Sequence, residues 1–214
     1  MERRRWETAD WCWCEQRLFR SGPDAGAVGD RTCAQQLEYH GVAVYLVLCS
    51  YLGAETAGTQ TAYTRVTSIA TLLKMEAPHC WKKVKQLRDL RLIDFDGDDR
   101  GFAFTLLGAG DPQEVKPRRL LPGKFFWLDR RVLNARLELR ASGLAVYGLL
   151  AANANNTGEC FCGEQYLKEQ LRLGKAYPGN VAQRLQQAGL LQVHPPKRQG
   201  HANGYTLLDL SGGE

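Results

Sequence analysis

Gly41-Val42-Ala43-Val44-Tyr45 returns 102 residues later as Gly143-Leu144-Ala145-Val146-Tyr147. Lys85-Gln86-Leu87-Arg88-Asp89-Leu90-Arg91-Leu92-Ile93 aligns with Gln183-Arg184-Leu185-Gln186-Gln187-Ala188-Gly189-Leu190-Leu191 at a spacing of 98, and Phe104-Thr105-Leu106-Leu107 with Tyr205-Thr206-Leu207-Leu208 at 101. Three matches in the same order, with offsets that change only between them, mean two copies of one folding unit whose loops differ in length. Any fold for this chain has to use the same plan twice.

Periodicity gives each copy the same elements. Val42, Tyr45, Leu46, Cys49 and Leu52 follow the i, i+3, i+4, i+7 spacing of an amphipathic helix, as do Leu144, Tyr147, Leu150, Ala151 and Ala154. Turn-rich stretches follow, 54–62 and 153–158, each leading into a short segment with strand character. Residues 67–73 and 163–171 make a second helix. Residues 78–90 and 178–188 make a third, with Pro78 and Pro178 near the start, where a missing N–H costs least. Each copy closes on two strands, 92–95 and 102–106 around the tip 96–101, then 190–193 and 205–208 around the longer tip 194–204. Helix, strand, helix, turn, helix, hairpin is the order of a winged helix-turn-helix. The expected fold class is α+β, two tandem winged helix-turn-helix domains of three helices plus a β-hairpin wing each.

The stretch from Lys124-Phe125-Phe126-Trp127-Leu128 to Leu191 resembles the winged-helix domains of bacterial plasmid replication initiators and related primosomal or transcriptional regulators. Ala145-Val146-Tyr147 and Asn156-Thr157-Gly158-Glu159-Cys160-Phe161 carry the likeness. It covers the second copy directly and the first through the repeat, and it departs at Cys162-Gly163, where relatives often have Pro-Ser. The resemblance implies binding of double-stranded DNA through the third helix and the wing, in replication initiation or transcriptional regulation.

The remaining segments divide the chain. Residues 1–34 read as an irregular N-terminal arm, because 22–30 has loop composition, and the arm's three tryptophans are available to pack back on the body. Residues 35–108 are the first domain, 109–123 a linker with Lys116, Arg118 and Arg119, and 124–210 the second domain. No apolar run is long enough to span a bilayer, and the basic start lacks an apolar segment behind it, so no membrane partner is expected and the cytoplasm is the expected compartment. Seven cysteines, an odd number without a secretory address, read as reduced, packed thiols. Net charge is +5, and its distribution is uneven: residues 1–110 hold 14 basic and 14 acidic residues, residues 111–214 hold 14 and 9. The whole excess lies in the second half, where a polyanionic partner would be attracted.

Projected at 100° per residue, the first third helix turns Cys80, Val84, Leu87 and Leu90 inward. His79, Lys82, Lys85, Gln86 and Asp89 face outward, with Lys83 and Arg88 on the flanks. The same register exposes Tyr177, Asn180, Gln183, Arg184 and Gln187 in the second copy. Asn and Gln pair with adenine and Arg with guanine in bidentate fashion, so the second face has base-reading chemistry and the lysine-rich first face suits phosphates. His194, Lys197, Arg198 and His201 suit the second wing to backbone or minor-groove contact, whereas Asp94, Asp96, Asp98 and Asp99 make the first acidic and open to a protein partner. The rival reading is a tandem winged-helix interaction module, as in chromosome-segregation accessory proteins. A monomer spanning two half-sites or a homodimer fits the DNA reading.

Asp94-x-Asp96-x-Asp98 has calcium-loop spacing, but Thr105 stands where the bidentate Glu is required. Cys12-x-Cys14 and Cys160-x-Cys162 lack the spacing of zinc knuckles. No phosphate-binding glycine loop, His-Glu-x-x-His or Gly-x-Ser-x-Gly motif occurs, so neither metal, cofactor nor enzyme activity is expected.

Overall fold

The computed structural model describes residues 11–19, 31–52, 61–107, 125–133, 139–155, 157–174, 178–196 and 202–208. Among them the chain is α+β. The first copy runs α1 (Cys33–Tyr51), β2 (Ala62–Thr64), α2 (Val66–Leu73), α3 (Ala77–Asp89), β3 (Ile93–Asp98) and β4 (Gly101–Leu106). The second repeats that order as α4 (Ala141–Asn153), β6 (Glu159–Cys162), α5 (Glu164–Leu171), α6 (Pro178–Gln187), β7 (Leu191–His194) and β8 (Asn203–Leu207). Each copy carries a three-stranded antiparallel sheet, ordered β2-β4-β3 and β6-β8-β7. Backbone details repeat as well. Lys74 and Arg172 end the second helix of each copy, and Arg91 and Gly189 follow the third, all four with left-handed φ.

The N-terminal arm is not wholly irregular. β1 (Trp11–Glu15) pairs antiparallel with β5 (Phe125–Asp129), and a 3-10 turn follows each strand, at Gln16–Phe19 and Arg130–Leu133. Alternation puts Cys12 and Cys14 on the buried face of β1, where they join Phe126 and Leu128 in the core. β5 ends on Asp129, whose fully buried carboxylate accepts from the backbone N–H of Arg131 at 2.9 Å and from its guanidinium at 2.6–3.2 Å. The linker 109–123 lies outside the described residues.

The first helix of each copy is not amphipathic. In α1 every residue from Gly41 to Ser50 is buried, and in α4 every residue from Gly143 to Ala152. A helix apolar all round belongs inside a core. Each of these two helices buries one face under its own copy and the other against its counterpart, so a single cluster of buried side chains runs through both copies and the β1–β5 ribbon. Gly148 sits at that crossing, where an added Cβ would collide with the Cδ1 of Leu46.

α1 also begins earlier than its repeat partner. The non-helical residue Glu38 (φ 59°, ψ 177°) separates a first turn, 33–37, from the helix proper. The equivalent residue in the second copy is Arg140, the N-cap of α4. In both copies the preceding leucine, Leu37 or Leu139, folds back onto a glycine, Gly41 or Gly143, where a Cβ would approach the leucine within 2.8 and 3.3 Å respectively. Glu38 thus marks the start of the repeated helix, and residues 33–37 are a turn of helix added in front of it. Thr32 caps that turn: its hydroxyl accepts from Gln35 N at 3.1 Å, and Gln35 Oε1 accepts from Thr32 N at 3.0 Å.

The first hairpin is tighter than its turn-rich composition predicts. β3 continues to Asp98, leaving only Asp99 and Arg100 between the strands. Gly97 makes this possible with φ +122° opposite Phe102, and Asp98 Oδ1 accepts from the N–H groups of Arg100 and Gly101. All seven cysteines are buried, and burial raises the Cys80 thiol to about 12. No helix among the described residues is long and apolar enough to cross a membrane.

Candidate nucleic-acid interface

α3 and α6 occupy equivalent places, each between a short helix and a hairpin. α6 buries Pro178, Val181, Ala182 and Leu185 and leaves Asn180, Gln183, Arg184 and Gln187 exposed. These four follow the i, i+3, i+4, i+7 spacing and form one polar stripe along the helix. Their neighbour Gln186 is occupied, since its Oε1 accepts from Val193 N of β7 at 2.7 Å. That bond ties the helix to the hairpin. Tyr177, Lys197 and Arg198 lie outside the described residues. At the base of the second hairpin His194 is exposed, and its Nε2 lies 2.9 Å from Thr206 Oγ1.

α3 departs further from the sequence projection. Lys82, Lys85 and Asp89 are exposed as expected, and so is Arg88 on its flank. Lys83, expected on a flank, is 4% exposed, and its Nζ lies 3.3 Å from Glu38 Oε2. A buried ammonium needs a partner, and the residue at the start of the α1 helix proper supplies it. Lys83 therefore cannot meet a polyanion. His79, expected to face outward, is half-buried, with its ring 4.7 Å from that of His40. Gln86 is also half-buried, and its Oε1 is enclosed with no hydrogen-bond partner among the described residues. Arg88 lays its guanidinium over the Phe95 ring at 4.4 Å, a cation–π contact that leaves its charge at the surface.

Burial favours the neutral form of both His40 and His79. Burial lowers His40 to about 4, aided by the neighbouring His79 and Lys83 and opposed by Glu38. His79 is lowered by burial and then by Lys83 and Lys82. An unfolded histidine titrates near 6.5, so below about pH 6.5 the unfolded chain takes up protons that the native state refuses, and stability falls until the native groups titrate in turn. Urea midpoints should therefore drop from pH 7 to about pH 4, with a shallower drop in His40→Gln. Equal slopes in the two proteins would refute this assignment.

The first hairpin presents a different surface. Along β3 Asp94, Asp96 and Asp98 point to one exposed face, while Ile93 and Phe95 point inward. Tyr63 on β2 and Phe161 on β6 occupy equivalent edge positions and are 67% and 78% exposed. Neither stood out in the sequence, where a lone aromatic in a short strand reads as core.

No protein-family profile matches the chain, and no curated protein matches it. One similar solved structure is described as "Crystal structure of Pi initiator protein in complex with iteron DNA". The likeness covers 94% of this chain and 98% of that one, at a TM-score of 0.46 and 11% identity. Residue roles do not transfer across so distant a likeness.

Proposed function

We propose that this chain is a double-stranded DNA-binding protein made of two tandem winged helix-turn-helix units, with sequence preference, acting in replication initiation or transcriptional control. The observation that carries the reading is the α6 stripe, whose Asn180, Gln183, Arg184 and Gln187 are all exposed on one face of a helix anchored from behind by Val181 and Leu185. Amides and a guanidinium at one-turn spacing match the donor and acceptor pattern of base edges in a major groove. Lys82, Lys85 and Arg88 on α3 supply charge without amides and suit backbone phosphates. The second unit then reads sequence and the first adds grip. No catalytic role is assigned to any residue.

The acidic face of β3 repels phosphates and favours a basic protein partner, which keeps the interaction-module reading as an alternative. Fluorescence anisotropy on a duplex of random sequence across a salt series separates the two. The DNA reading predicts a steep fall in affinity with salt, and Lys82→Ala/Lys85→Ala should weaken every duplex alike and flatten the log–log slope by about 0.9 per lost phosphate contact. Absence of duplex binding at low salt would leave the interaction module.

A further inference from the structure

The N-terminal turn of α1 and the outer face of α5 meet along a seam between the two copies. Thr32 Oγ1 donates to Gln170 Oε1 across it at 3.1 Å. Beside this bond lies an open cleft of about 490 Å³. The first copy contributes Arg31 and Gln35, and the second contributes Gln165, Lys168, Glu169 and Arg172. The four α5-side residues follow i, i+3, i+4, i+7 spacing, so the exposed face of α5 is one wall and the start of α1 the other.

Among the described residues three cations, Arg31, Lys168 and Arg172, face one carboxylate here. Glu169 is already engaged, since Gln165 Nε2 donates to its Oε1 at 2.6 Å. The described lining side chains are charged or amide-bearing apart from Gly174, with their aliphatic stems forming the walls and their heads supplying the donors. A phosphate matches the charge and the donors. The cleft is also placed beside the candidate reading helix. Arg172 and Gly174 lie in the turn from α5 to α6, and the four residues from Gly174 to Pro178 span at most about 14 Å. A major groove is about 12 Å wide, so a strand bordering a groove filled by α6 passes within reach of this turn.

We propose that the seam cleft clamps backbone phosphates bordering the groove that receives α6, so that both copies grip one DNA strand at their junction. The proposal rests on the DNA-binding reading and adds a contact site to it. Its cations would position the duplex without reading sequence.

The test uses the full chain carrying Arg31→Gln, Lys168→Gln and Arg172→Asn singly and together, with Asn chosen because it tolerates the left-handed backbone at position 172. All three side chains are exposed, and far-UV circular dichroism checks that each variant is folded. In anisotropy salt series, each replacement should flatten the slope by about 0.9 while leaving the preferred sequence unchanged. Arg31→Gln matters most, since it alters only the first copy's wall. If the wild type binds duplex and the triple variant keeps its slope, the clamp is wrong and the DNA reading stands. If the wild type binds no duplex, both fall. Calorimetry with inorganic pyrophosphate adds a last arm: binding that the triple variant loses, with an unchanged DNA slope, would make the cleft a small-anion site and overturn the clamp.

Discussion

Phe102→Ala should lower the unfolding free energy by about 3–5 kcal/mol. Phe102 is fully buried on β4, with its ring 5.6 Å from Trp81 of α3, 5.7 Å from Phe95 of β3 and 5.9 Å from Phe104. Removing it strips the centre from the aromatic cluster that fastens α3 to its hairpin and leaves a void its rigid neighbours cannot fill. A typical domain has only about 5–15 kcal/mol in total, so this one ring carries a large share. The urea midpoint should fall sharply with an unchanged m value, whereas Tyr63→Ala on the exposed edge should stay within about 0.5 kcal/mol of wild type. A loss below about 1 kcal/mol for Phe102→Ala would mean that α3 is not held by this cluster.

The second large effect falls on recognition. Arg184→Ala should cost about 1–3 kcal/mol of discrimination, roughly a 5- to 150-fold loss of preference for the best duplex over a random one, with little change in stability because the side chain is exposed. Lys85→Ala should behave differently and weaken preferred and random duplexes by the same factor. Competition binding with both duplexes for both variants reads the contrast directly. Matching profiles for Arg184→Ala and Lys85→Ala would remove the division of labour between the units.

The repeat was legible in the sequence because core positions recur with their neighbours. Pro78 and Pro178 marked the starts of the third helices because proline is tolerated in a first turn and resisted further in. The exposed stripe of α6 from Asn180 to Gln187 followed from periodicity alone, since no described residue covers these side chains. α1 and α4 were misjudged because one face of each is covered by the other copy, a contact between residues about a hundred positions apart. Lys83 was misjudged for the same kind of reason: its partner Glu38 comes from a distant helix, at a residue whose backbone leaves the helix. β1 was missed because its partner, β5, follows more than a hundred residues later, although the alternation of Trp11-Cys12-Trp13-Cys14 was already strand-like. The seam cleft needed both copies in place. Lys168 and Arg172 share a helix face in the sequence, and only packing brings Arg31 to them.

The central claim is that α6 reads duplex DNA. Selection from a random duplex pool, with sequencing of the fraction bound by the full chain, tests it most directly. An enriched motif should emerge, and it should disappear when Gln183 and Arg184 are both replaced by Ala. Binding with no enriched motif, or a motif that survives the double replacement, would contradict it.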